Sequence, residues 1–116
     1  MRKPDAPLQV RSKIWLEIGG EPVFGQGRYE LLRWIQRTGS INAAAKGMGI
    51  PYRKAWTYID SMEKRMGFAL VIRQKGGSRG GASILSPRAV ALLEKFSSLK
   101  KGFDEQVNVK FEKLDF

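Results

Sequence analysis

Between Thr38 and Gly67 the chain reads TGSINAAAKGMGIPYRKAWTYIDSMEKRMG, and the order of small, breaking and amphipathic residues there leaves few ways to fold it. Ser40 can accept from the free amide groups of a first helical turn. Ala43, Ala44 and Ala45 follow with high helix propensity and little bulk, so a second helix can cross closely. Gly47 and Gly49 bracket Met48 and stop the first helix, and Gly49 can take the positive φ that a tight turn needs. Pro51 has its φ already set for a first helical position, and no further proline or glycine appears before Gly67. A second helix is therefore expected over about Pro51 to Met66. Its buried face carries Ala55, Ile59, Met62 and Met66, and Tyr52, Arg53, Lys54 and Thr57 face outward near its start. Two helices joined in this way form a helix-turn-helix. In that motif the start of the second helix enters the major groove of duplex DNA, where Arg pairs with guanine and Tyr or Thr meets base edges or the thymine methyl.

The charge distribution supports a polyanionic partner. The chain has 21 Lys plus Arg against 11 Asp plus Glu, a formal net charge of +10. From Arg28 to Arg79 there are eleven basic residues (Arg28, Arg33, Arg37, Lys46, Arg53, Lys54, Lys64, Arg65, Arg73, Lys75, Arg79) against three acidic ones (Glu30, Asp60, Glu63), so +8 of the +10 lies in that window. Each phosphate neutralised by such a surface releases condensed counterions. A basic surface kept for solubility alone would have no reason to coincide with the two-helix pattern.

With 116 residues, 42% of them hydrophobic, one globular domain is expected. No apolar run has the length of a membrane span, the N-terminus MRKPDAPLQVRSK lacks a secretory apolar stretch, and the expected location is the cytoplasm. The absence of Cys and His removes disulfides, thiol chemistry, His-based acid-base catalysis and the common zinc sites. Asp60 and Glu63, the best remaining carboxylate pair, adjoin Lys64 and Arg65 and read as ordinary surface charge. No nucleophile, base, metal or cofactor motif points to an enzyme.

The flanking segments complete a mainly α architecture with a small β component. Val10, Ser12, Ile14, Leu16 and Ile18 alternate with Arg11, Lys13, Trp15 and Glu17, which predicts a strand over about Gln9 to Ile18, ended by a turn at Gly19-Gly20-Glu21-Pro22. Residues 1–8 are left as an arm. GRYELLRWIQRTG, from Gly27, predicts a helix closed by Gly39, with Leu31 and Ile35 in the core and Trp34 at its margin. Phe68 to Arg73 predicts a strand, QKGGSRGGAS a loop and Ile84-Leu85 a returning strand, which together make a wing beside the helix-turn-helix. The loop lacks the Lys-Ser/Thr ending of a nucleotide-binding loop, and its glycines leave Arg79 unencumbered to reach a phosphate or a narrow minor groove. Ser86-Pro87 starts a last helix over 87–105, its apolar stripe running through Ala89, Leu92, Leu93, Phe96, Leu99 and Phe103. That stripe is long for covering one small core, and a homodimer through Leu92, Phe96, Leu99 and Phe103 would give the two-fold symmetry of paired half-sites. Residues 106–116, where Val107, Val109 and Phe111 alternate with polar residues, read as a tail, either a short strand or an arm.

The segment from Gly27 to Ala89, and above all TGSINAAAKGMGIPYRKAW, FALVIR, GGSRGGA and LSPRA, resembles the N-terminal winged helix-turn-helix of the ModE family of molybdate-responsive transcription regulators. It resembles more distantly the DNA-reading heads of LysR-type regulators. The likeness covers about residues 9 to 100. It implies a winged-helix DNA-binding fold, dimerisation through the first and last helices, and transcriptional control. It also implies that Tyr52, Arg53 and Thr57 turn toward bases and that Ser40, Lys54 and Arg79 turn toward phosphates. Asn42, Lys75 and Ser78 are the further residues expected at phosphates or in the minor groove. Trp56, on the edge of the buried stripe, is expected to pack between helices, with a groove contact as the alternative. Full-length family members sense molybdate through C-terminal oxyanion-binding domains. This chain stops at Phe116, so no molybdate binding by that route and no other cofactor are expected, which leaves a constitutive regulator, control by abundance, or an unidentified partner protein that supplies sensing. A non-specific architectural DNA-binding protein and a winged-helix protein-interaction module are the alternatives that the same residues allow.

Overall fold

The computed structural model describes residues 2, 5–74 and 82–116. Along the chain run β1 (Leu16–Ile18), β2 (Glu21–Phe24), α1 (Gln26–Thr38), α2 (Ile41–Met48), α3 (Tyr52–Met66), β3 (Val71–Gln74), β4 (Ala82–Leu85) and α4 (Pro87–Lys113). The strands form two antiparallel pairs, β1 with β2 and β3 with β4. This is a winged helix-turn-helix with a long C-terminal helix.

Residue chemistry accounts for the helix ends. The Ser40 hydroxyl accepts from the Ala43 N–H at 3.1 Å, and Gly49 closes α2 at φ 70°. Pro51 stands one position earlier than its fixed φ suggested: it is the N-cap of α3, and its carbonyl accepts from the Lys54 and Ala55 N–H groups. Ser86 caps α4 by accepting from Ala89 N–H while its own hydroxyl donates to the Ala69 carbonyl, and its backbone N–H donates to the Leu70 carbonyl. One buried serine thus joins the start of α4 to the segment leading into β3.

The core lies where α1, α2 and α3 meet the inner side of α4 and β2. Leu31, Leu32 and Ile35 from α1, Ala44 and Ala45 from α2, Ala55, Ile59 and Met62 from α3, and Leu70 are all essentially inaccessible. Phe24 and Phe96 meet edge to face with ring centroids 5.0 Å apart. Gly47 is inside α2 and has a packing role beyond helix termination. A Cβ there would fall 2.6–2.8 Å from three ring atoms of Trp34, so the indole of α1 rests directly on the α2 backbone.

Three expectations toward the N- and C-terminal ends are corrected. The strand expected over Gln9 to Ile18 is only Leu16–Ile18, because β2 is four residues long and its register ends at Leu16 opposite Phe24. Upstream, the alternating burial persists from Val10 to Leu16 without a ladder, since the neighbour is a helix: Ser12 donates to Asp104, and Lys100 Nζ donates to the Ser12 carbonyl at 3.0 Å and to Asp104 at 2.6 Å. The turn is Gly19-Gly20 alone, at φ 59° and 81°, the primed geometry that suits a two-residue hairpin, and Glu21-Pro22 already belong to β2. The tail expected after residue 105 is helical, since α4 continues to Lys113. After Gly102 the sequence has no glycine or proline to stop it, and Val107 and Phe111, four apart, share a partly covered side.

Gly47→Ala should destabilise the fold by about 1–2 kcal/mol, overpacking against Trp34 outweighing the gain in helix propensity. In a Trp34→Leu background the same change should be neutral or stabilising by urea unfolding. Equal cost in both backgrounds would refute the contact. The Asp104 carboxyl is held below its ordinary value of 3.8, first by the Lys100 hydrogen bond and then by that from Ser12. The lash between arm and helix is therefore complete above the ordinary carboxylate value and is lost as pH falls through the lowered one. Carboxyl NMR should find Asp104 titrating below its ordinary value, and Ser12→Ala should move it back upward.

Candidate nucleic-acid interface

The outward surface of α3 begins with four exposed residues, Tyr52, Arg53, Lys54 and Thr57, the first of them 49% exposed. Neither Arg53 nor Lys54 enters an ion pair among the described residues, where Lys64 pairs with Asp60, Arg65 with Glu21 and Lys100 with Asp104. The Thr57 hydroxyl donates to the Arg53 carbonyl at 3.0 Å, so its lone pairs and methyl group remain to meet a base. At the start of α2, Ser40 keeps its hydroxyl proton free while its oxygen accepts from Ala43, and exposed Asn42 stands two residues on. Neither α2 nor α3 has an acidic residue in its first turn. The positive ends of both helices are therefore uncompensated.

The wing is fixed against α3 by contacts that sequence reasoning did not foresee. Arg73, on the same side of β3 as buried Val71, lays its guanidinium 3.3 Å from the centre of the Trp56 ring. Trp56 in turn meets Tyr52 edge to face at 6.2 Å. The period of two in Val71-Ile72-Arg73 was the available signal, for it puts Arg73 on the inner face. Trp56 accordingly packs, partly buried, between α3 and the wing. Glu63 is more than surface charge: its carboxylate accepts from the Leu70 N–H at 2.8 Å and the Val71 N–H at 3.2 Å, binding the last turns of α3 to the start of β3. Asp60, paired with Lys64 at 2.9 Å, is the solvated charge expected of it. On β4 the Ser83 N–H donates to the Gly39 carbonyl, which ties the wing to the turn before α2. Lys75, Ser78 and Arg79, expected at the wing tip, lie outside the described residues.

On α4, Leu99 is 53% and Phe103 43% exposed, and Leu92 is half-buried. Phe96 is corrected: at 2% exposure it belongs to the chain's own core, against Phe24 and 5.6 Å from Tyr29. It follows Ala89 and Leu93 at steps of four and three along the inner side of the helix, so no partner can reach it. Among the described residues there is no cluster of three or more metal-ligating side chains, and no helix is long and apolar enough to cross a membrane.

Glu63→Ala should cost about 1–3 kcal/mol, because it leaves two backbone donors at the foot of the wing unpaired. Glu63→Gln, which keeps an acceptor oxygen, should recover most of the loss in urea unfolding. A change within about 0.5 kcal/mol for Glu63→Ala would show that the anchor contributes nothing.

The pattern of bacterial regulatory helix-turn-helix proteins of the lysR family matches residues 27–87. Molybdenum-pterin-binding protein MopB of Rhodobacter capsulatus is 35% identical over 78 residues, 67% of this chain and 29% of that protein. Transcriptional regulator ModE of Haemophilus influenzae is 38% identical over 74 residues, 64% of this chain and 29% of that protein. The DNA-binding transcriptional dual regulator ModE of Escherichia coli K12 is 36% identical over 81 residues, 66% of this chain and 31% of that protein. The chain thus spans about three tenths of the length of these relatives. ArgP from Mycobacterium tuberculosis shares the fold at 17% identity, with a TM-score of 0.52 over 75% of this chain and 30% of that one. The matched pattern runs from the first turn of α1 through the wing to the start of α4, more than half of the sequence, and the chain belongs to the LysR family of bacterial regulatory helix-turn-helix proteins.

Proposed function

We propose that the chain is a sequence-specific regulator of transcription that binds duplex DNA as a homodimer. The observation that carries this reading is the start of α3. It is an exposed helical end with Tyr52, Arg53, Lys54 and Thr57 outward, no acid in its first turn, and a wing fixed alongside. A helix end of this kind fits the major groove, with Arg53 as the bidentate reader and Tyr52 and Thr57 meeting neighbouring base edges. Ser40, Asn42 and Lys54 are assigned to phosphates, together with Lys75, Ser78 and Arg79 of the loop. The names of the ModE relatives favour the same role.

The dimer is assigned to the outer stripe of α4. Leu92, Leu99 and Phe103 are spaced at seven and four residues, which places them on one side of the helix, and the latter two project into solvent. Pairing two such helices would cover them and set two α3 helices at a fixed separation.

Genomic fragments captured on the purified chain at physiological salt and sequenced should share a pseudo-palindrome with half-sites about one helical turn apart, or a multiple of it. Arg53→Ala should weaken binding to that site by about 1–3 kcal/mol and relax preference at one base position. Leu99→Glu with Phe103→Glu should convert a dimer to a monomer in sedimentation. Retention without any motif would replace this reading with an architectural role, and no retention would replace it with a protein-interaction role.

A further inference from the structure

On α3, Tyr52, Trp56 and Glu63 follow at steps of four and seven and form the flank held by the wing. Lys54, Tyr58 and Arg65 follow at the same steps on the other flank. There Arg65 pairs with Glu21 and donates to the Pro22 carbonyl at 3.1 Å, so the β1–β2 hairpin buttresses this side. Between Lys54 and Arg65, the Tyr58 ring receives two cations. The Arg28 guanidinium, from the first turn of α1, lies 4.9 Å from the ring centre, and Lys54 Nζ lies 5.8 Å from it.

Two like charges are thus drawn to one aromatic ring from separate helices, and among the described residues neither is paired with a carboxylate. Glu30, two residues along α1, points elsewhere on that helix and is hydrogen bonded by Gln26. Arg28 Nε is buried without a hydrogen-bond partner, and the guanidinium donates to no described residue. The ring holds the guanidinium in place without satisfying its donors. α1 also begins here at Gly25 with no side-chain cap and no acid in its first turn, and space is open beside Gly27.

We propose that Arg28 and Lys54, fixed by the Tyr58 ring, clamp a backbone phosphate of the DNA strand that borders the groove on the side away from the wing. The inference rests on the DNA-binding reading above. A helix lying in a major groove has a phosphate strand on each side. The wing and the start of α2 serve one strand, since Ser83 ties β4 to Gly39 just ahead of Ser40. The Tyr58 flank serves the other. Arg28 supplies planar donors and Lys54 a mobile point charge, a pair suited to a phosphodiester and indifferent to sequence.

The test uses the full chain on two probes, a duplex carrying the captured motif and a scrambled duplex of equal length. Arg28→Ala and Lys54→Ala should each weaken binding to both probes alike, and the double variant should lower the slope of log affinity against log salt by about 0.9 on both, the contribution of the one phosphate that the pair holds. The deficit of the double variant should then shrink about 3.5-fold between 50 and 200 mM salt, with base preference unchanged. Ethylation interference should disappear on the strand away from the wing and persist on the other. An Arg28→Lys variant should keep the wild-type slope. A wild-type slope and interference pattern in the double alanine variant would overturn the clamp while leaving DNA binding intact. Arg28→Lys failing as Arg28→Ala does, with Lys54→Ala unchanged, would overturn it in favour of a purely structural Arg28. If the wild-type chain bound neither probe, the DNA reading itself would fall and the clamp with it.

Discussion

The position of α3 depends on how closely three helices approach one another, and small residues set that distance. Ala44 and Ala45 on α2 and Ala55 on α3 are buried to 1% exposure or less, and Gly47 lets the Trp34 indole rest on the α2 backbone. A methyl group in place of hydrogen at that contact would overlap the Trp34 ring, and any shift of α1 from α2 would be felt by α3 through the shared core. The outward residues of α3 make few contacts of their own, so their placement is inherited from this crossing. The wing adds a second fix, through the Glu63 carboxylate at its foot and the Trp56 ring under Arg73.

Charge is distributed with the same economy. Three acids hold elements together: Glu21 with Arg65, Glu63 with the β3 backbone, Asp104 with Ser12 and Lys100. Cations at the start of α3 are left without acidic partners. Basic residues are not a uniform coat, since +8 of the net charge of +10 lies between Arg28 and Arg79. Such a concentrated field raises encounter rates with a polyanion and weakens steeply with salt.

Much of this was legible in the sequence where one residue fixes one conformation. Ser40, Gly49, Ser86 and Pro87 marked helix ends through chemistry that acts within a turn, and the stripe Ala55, Ile59, Met62 gave the buried side of α3. The reading failed where the partner was distant. Val10 to Leu16 kept the period of a strand, yet the neighbour proved to be a helix some ninety residues later, and periodicity reports sidedness without naming what covers the side. The extension of α4 past residue 105 was missed because alternating Val107, Val109 and Phe111 suggested a period of two, although no breaker followed Gly102. On α3 the outward position of Tyr52, Arg53, Lys54 and Thr57 was evident from helical phase. Glu63 and Arg73 were not, since each acts through a contact made only when the wing folds back.

The length of α4 has a thermodynamic consequence. Its first half carries every buried residue of the helix, Ala89, Leu93 and Phe96, whereas beyond Lys100 it is sustained by Asp104 with Ser12, by the stacked rings of Phe111 and Phe116, and by its own hydrogen bonds. Gly102 sits at the junction with open space beside it, the residue least able to transmit helical order. The two halves are therefore expected to behave as separate cooperative units in the isolated chain, amide protons of the first exchanging through global unfolding and those of the second through local fraying. Whatever covers the distal half merges the two into one transition, so the exchange profile along a single helix becomes a gauge of how fully it is covered.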